Sequence, residues 1–230
     1  MVSADEAGLG WDPTIIRGFD DSGKPYYDIV VHDKTSGEKT YRTSKILFSY
    51  GADPLRGRGT RVFEGRLLED GMPSGHSVAI KDGWVDHDRK REATILADLY
   101  AEADEADKLL IEQYFLTVLA YGDVIVSGQI DHTRDLIKRG KDVPTSSQFL
   151  LTNLPPLRST RGLSTLTYDD SALTRAQRAT YRFSDKVHNR TVYKEVAAPI
   201  YTVKGLTDSF QVLQDTTIGG AYVTSICCSH

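Results

Sequence analysis

The chain has 230 residues, 28 Lys and Arg against 32 Asp and Glu, with 40% hydrophobic and 26% charged residues. That composition fits a soluble globular protein of one or two domains and excludes collagen-like, wholly disordered and membrane classes. A net charge of −4 supplies no global cationic field for a phosphate backbone or an anionic lipid surface, so neither nucleic acid nor membrane is an expected partner. Cysteine is confined to the adjacent pair Cys227 and Cys228, which offers neither a disulfide framework nor a zinc-ligand spacing and points to a reducing, intracellular setting. The acidic start MVSADEAGLG lacks the basic and apolar parts of a secretory signal, and the apolar stretch FLTVLAYGDVIV is broken by Gly122 and Asp123. The expected location is cytoplasmic or nuclear.

In chain order, YYDIVVH and TYRTSKILFSY, between Tyr26 and Tyr50, read as two strands joined across a DKTSGEK turn. LRGRGTRVFEGRL follows as a glycine-containing turn and an alternating strand, then EDGMPSG as a second turn, then the strand SVAIKDGW. Asp86 or Asp88 is placed to cap a helix through DRKREATILADLYAEA, in which Ile95, Leu96, Leu99, Tyr100 and Ala103 form one apolar stripe. Residues from about Asp104 to Gln113 continue that helix or form a second one. YFLTVLAYGDVIV suits strand or buried helix, with strand favoured in its second half. Residues from Arg139 to Thr180 are loop-rich and are expected to be a long irregular insertion. ATYRFSDKVHNRTVYKEV then reads as two strands around a SDKVHN turn, and Leu206, Phe210 and Leu213 suggest a short amphipathic helix after Gly205.

Three features carry chemistry. Val78-Ala79-Ile80-Lys81 sets a cation on a stiff strand, which holds an ammonium near phosphates at little entropic cost. On those four letters alone, a buried strand with one edge lysine is the better reading. Upstream, Gly57-Arg58-Gly59-Thr60-Arg61-Val62 is a turn whose glycines let backbone approach phosphate and whose Val62 is placed to pack under a base; a plain hairpin fits it equally well. Downstream, Glu92 precedes Ile95 and Leu96 by three and four residues, so it is expected on the core-facing side of the helix, where a carboxylate needs a cation. Lys81 is the first candidate partner, with Glu102 the second choice for Lys81. A rim Glu92 paired with Lys90 or Arg89 is the plainer alternative.

This order of glycine turn, V-A-I-K strand and glutamate-bearing helix resembles the small lobe of a protein kinase. WDPTIIRGF, YRTSKIL, GADPLRGRGTRVFE, VAIKDGWVDHDRKRE, YFLTVLAYGDV and VHNRTVYKEV resemble, more specifically, the fungal-type protein kinase domain family over Trp11 to about Val223. Its most specific stretches are GRGTRVFE and the series from Lys81 to Glu92. The resemblance implies an α+β fold, a kinase-like N-terminal lobe of antiparallel sheet plus an αC-type helix, with the irregular insertion at about 139–180. Residues 1–204 would form that lobe and 205–230 the start of a large lobe. It also implies an ATP site drawn from Gly57, Gly59, Thr60, Val62, Ala79, Lys81 and Glu92. Tyr193-Lys194-Glu195-Val196 would be the hinge, with Glu195 and Val196 at the adenine, and Asp208 would lie near the ribose.

The chain lacks a catalytic-loop Asp, the Asn that follows it and the Asp of D-F-G, which hold the substrate proton and magnesium in this chemistry. His132-Thr133-Arg134-Asp135 has an extra residue, lacks the following Asn and precedes the hinge, so it reads as a polar loop. The sequence therefore reads as a truncated kinase domain. ATP-dependent transfer to protein Ser/Thr hydroxyls is the function by resemblance, absent from this chain itself; a non-catalytic binding or regulatory module is the alternative. ATP binding is expected to be weak or absent, magnesium is expected only with a complete large lobe, and no other metal is expected. Phe210, Val212, Leu213 and Ile218 are expected to lack cover and to recruit a protein partner or drive aggregation.

Overall fold

The computed structural model describes residues 11–49, 59–137, 185–197, 205, 211 and 214–217. The first strand, β1 Ile15–Phe19, lies in a stretch to which the sequence reading assigned no element. It pairs with β2 Pro25–Asp33, followed by β3 Gly37–Ser49, β4 Arg61–Glu69 and β5 Met72–Asp86, all antiparallel to their neighbours. The turn after β4 is tighter than EDGMPSG. Only Asp70 and Gly71 make it, both at positive φ (51° and 78°), the two-residue conformation that matches the right-handed twist of paired strands.

Two helices follow, α1 Glu92–Glu102 and α2 Glu105–Tyr114. Neither Asp86 nor Asp88 caps α1; Asp86 still belongs to β5, and Arg91 holds the cap position without a side-chain cap bond. Asp104 caps α2, its carboxylate accepting from the Asp107 N–H at 2.9 Å. The apolar segment after α2 is strand, β6 Val118–Asp123, trailed by the two-residue ribbon β7 Ile125–Val126 and β8 Gln129–Ile130 and a π-helical turn at Thr133–Ile137. The last strand, β9 Lys186–Tyr193, runs without interruption through the segment expected to turn at SDKVHN, and pairs with β5 on one side and β6 on the other.

The sheet order is β1-β2-β3-β4-β5-β9-β6. The sheet curls until β6 meets β2. A Cβ at Gly122 would stand 1.8 Å from the His32 carbonyl oxygen, so only glycine permits that approach. The Lys34 N–H donates to Tyr121 O, and the Asp33 carboxylate accepts from the Tyr121 N–H. Burial opposes the Asp33 charge, yet donors from Ser36, Thr35 and Tyr121 hold its carboxyl well below the usual range. Inside the curl lie Ile29, Val31, Tyr41, Phe63, Val78, Ile80, Ala120 and Val192. Each large member contributes about 1.5–3 kcal/mol by leaving water. α1 and α2 share a separate small core of Leu99, Ala103, Ile111 and Phe115.

This mostly antiparallel sheet with few helices is compatible with a kinase-like small lobe. The expected insertion, the strand at ATYRF, and Leu206, Phe210, Val212, Leu213 and Ile218 lie outside the described residues. Gln211 and residues 214–217 are helical.

Candidate functional site

In β5 alternate residues face opposite sides, and directly paired residues of neighbouring strands share a side. Val62 pairs with Lys81 and Glu64 with Ala79; across the other edge Lys81 pairs with Thr191 and Ala79 with Tyr193. Val62, Glu64, Ala79, Lys81, Thr191 and Tyr193 therefore line one face, opposite the packed interior. The V-A-I-K pattern produces this split: Val78 and Ile80 enter the core while Ala79 and Lys81 face out of it.

The Lys81 ammonium is bonded to the Glu92 carboxylate, the first residue of α1. A carboxylate in the first helical turn also favours the helix dipole. The expectation that Glu92 points into the core is corrected: its side chain is 54% exposed and that of Lys81 39%, so the pair is partly open to solvent. The reason is a rotation of the buried stripe. Ala93, Leu99 and Ala103 are buried whereas Ile95 and Tyr100 are exposed, so apolar identity on this helix does not mark the inward face. Lys90 pairs with Asp98, leaving the rim pairing with Glu92 unmade.

Tyr193 closes this face at the end of β9. Burial pushes its phenol upward, and the Glu92 carboxylate adds to the shift. Beyond it, the Lys194 N–H donates to Thr117 O at 2.9 Å, and the Glu195 carboxylate accepts from both the N–H and the hydroxyl of Thr117 at 2.8 Å. Burial opposes the Glu195 charge, but the two Thr117 donors hold its carboxyl below its usual value. Glu195 thus fixes the exit of β9 against the start of β6, and the chain emerges with Val196 partly exposed. Gly59, at φ 50°, and Thr60 lead into β4 beside Trp84. Gly57 and Asp208 lie outside the described residues.

A second constellation was not foreseen. Arg190, fully buried, donates from Nε to Asp82 at 2.8 Å, from Nη1 to the Thr14 hydroxyl at 2.7 Å and to Val30 O at 2.6 Å, and from Nη2 to Asp12. Asp82 also accepts from Arg61 at 2.6 Å and from His188 Nε2 at 2.8 Å, and His188 Nδ1 reaches Asp131 at 3.0 Å. His188 stacks on Trp84 with ring centroids 4.7 Å apart. Carboxylates on both ring nitrogens outweigh burial and raise the His188 pKa, so imidazolium is the favoured form. Burial opposes the charge on Asp82, but His188, Arg190 and Arg61 hold its carboxyl far below the usual range. Asp12, Asp82 and His188 stand close enough to share a metal ion, but the guanidinium of Arg190 already bridges both carboxylates. Three carboxylates (Asp12, Asp82, Asp131) face three cations (Arg61, Arg190, charged His188). The constellation reads as a structural clasp joining the segment before β1 to β5 and β9. Its signal in the sequence was the polar residues of WDPT, KDGW and VHNRT, which the fold brings together.

A depression of ≈ 310 Å³ opens beside Arg91, lined also by His87, Asp123, His132 and Asp135 and without Lys81. Its histidines are engaged: His132 Nε2 and His87 Nδ1 stand 3.1 Å apart, and His132 Nδ1 accepts from the Arg134 N–H.

A family model described as fungal protein kinase matches residues 1–221. No curated protein and no solved structure matches the chain.

Proposed function

Because the chain belongs to the fungal protein kinase family, we propose that the face bearing Lys81 is a nucleoside triphosphate site, with ATP as its ligand. The Lys81–Glu92 ion pair, set on the same face as Val62 and Ala79, carries this reading. A lysine on a rigid strand, held extended by a carboxylate, offers its remaining ammonium protons to phosphate oxygens without a large ordering cost. Val62 and Ala79 supply small apolar contacts for a base plane, Gly57, Gly59 and Thr60 the backbone approach to phosphates, and the chain after Tyr193, at Glu195 and Val196, the edge on which a base pairs. Asp208 is assigned to the ribose. The residues fit a nucleotide in this way; the magnesium-holding Asn and D-F-G of the kinase pattern are not in the 230-residue sequence.

By descent the activity is ATP-dependent phosphoryl transfer to protein Ser/Thr hydroxyls. The residues of the proposed site bind and orient the nucleotide, and ATP binding by this chain is weak. The alternative is a non-catalytic binding or regulatory module. Incubation with labelled ATP, magnesium and a generic protein substrate separates the two. No transfer above background is expected, whereas transfer abolished by Lys81→Ala would establish catalysis in this chain.

A further inference from the structure

The Lys81–Glu92 pair does not by itself secure the helix that carries Glu92. Both side chains are substantially exposed, and such pairs add little to stability. Within α1, only Ala93 and Leu99 are buried, and Leu99 packs in the core shared with α2 rather than in the sheet.

The preceding residue is held differently. Arg91 Nε donates to Asp123 Oδ1 at 2.9 Å, its Nη2 reaches Asp123 Oδ2 at 3.4 Å, and its Nη1 donates to Arg89 O at 2.8 Å and Asp86 O at 3.3 Å. The two side chains are 13% and 18% exposed. Asp123 is itself fixed at the end of β6 by the Asn189 amide at 2.9 Å. The planar guanidinium fork is thus joined to β6, to the end of β5 and, through Asn189, to β9. Residues 91 and 92 reach in different directions, the arginine to β6 and the glutamate to β5.

We propose that Arg91 is a positioning residue for the nucleotide site: its clasp on Asp123 fixes the first turn of α1, and so places the Glu92 carboxylate over Lys81. The consequence for nucleotide rests on the function proposed above; the anchoring of the helix does not. In a nucleotide-free chain, hydrogen exchange of the α1 amides is expected to accelerate about tenfold in Arg91→Ala, with amides of β5 and β9 unchanged and Arg91→Lys intermediate. Asp123→Asn, which preserves side-chain shape, gives the same result where Arg91→Ala does not fold. ATP affinity, read by displacement of a fluorescent ATP analogue, falls about three- to tenfold in parallel. Wild-type protection of α1 in both variants, or an equal loss in β5 and β9, overturns the proposal, as does a loosened α1 with unaltered affinity. A wild-type chain that binds no nucleotide would instead refute the nucleotide site, while the exchange comparison would still decide the anchor.

Discussion

Replacing Arg190 by Met tests whether the buried clasp is a chief support of the sheet. The substitution keeps much of the side chain's apolar length but removes the donors that reach Asp82, Asp12, Thr14 and Val30. The charges of Asp12, Asp82 and Asp131 then exceed those of Arg61 and His188 by one. Leaving a buried charge uncompensated costs about 3–5 kcal/mol, against a total stability of about 5–15 kcal/mol for a typical domain. With a urea dependence of about 2 kcal/mol per M, the unfolding midpoint should fall by about 2 M. The loss should shrink as pH falls and the excess carboxylate takes up a proton. Arg190→Lys should land between wild type and Met, because one ammonium cannot span all four acceptors. Chemical denaturation followed by circular dichroism provides the measurement. A midpoint for Arg190→Met within about 0.5 M of wild type, or a lysine variant equal to it, would refute the reasoning.

Two further predictions test other parts of the fold. His188 has a folded pKa above its ordinary 6.5, so its contribution to stability is complete below that value and is lost as pH rises through the raised folded pKa. Thermal melts across neutral to alkaline pH should show this loss in wild type and not in His188→Gln, and matching profiles would contradict the imidazolium assignment. Gly122→Ala forces a methyl group against the His32 carbonyl and should cost about 3 kcal/mol or more by the same denaturation assay; a neutral outcome would mean that β6 does not close on β2.

Much of the sheet was legible because β2 to β5 carry β-branched and aromatic residues between recognisable turns, and the Asp70-Gly71 hairpin is a local signal. The Lys81–Glu92 pairing was legible from the residue types and their order, although the side of α1 on which Glu92 stands was not. β9 was misread for a physical reason: its interior positions hold His188 and Arg190, so a central strand lacks the expected apolar alternation. Those residues are satisfied by Asp12, Asp82, Asp131, Thr14 and Val30 O, distant in sequence, and no local pattern reveals that they will meet. β1 escaped notice because it is short and half-exposed, and its extended state depends on pairing with β2. The outward position of Glu92 is not legible in sequence because apolar residues occupy two sides of α1, and only the side of Ala93 and Leu99 is buried.

The proposed role of Lys81 is to bind nucleotide phosphate. Calorimetric titration of ATP into the wild-type chain and into Lys81→Ala tests it most directly, with melting temperatures confirming that both are folded. Weak, saturable binding to wild type is expected, with at least about tenfold weaker binding to the variant, the loss of about 1.4 kcal/mol expected for a charge-assisted contact. Equal affinity in the two proteins, or no binding to the folded wild type, would contradict it.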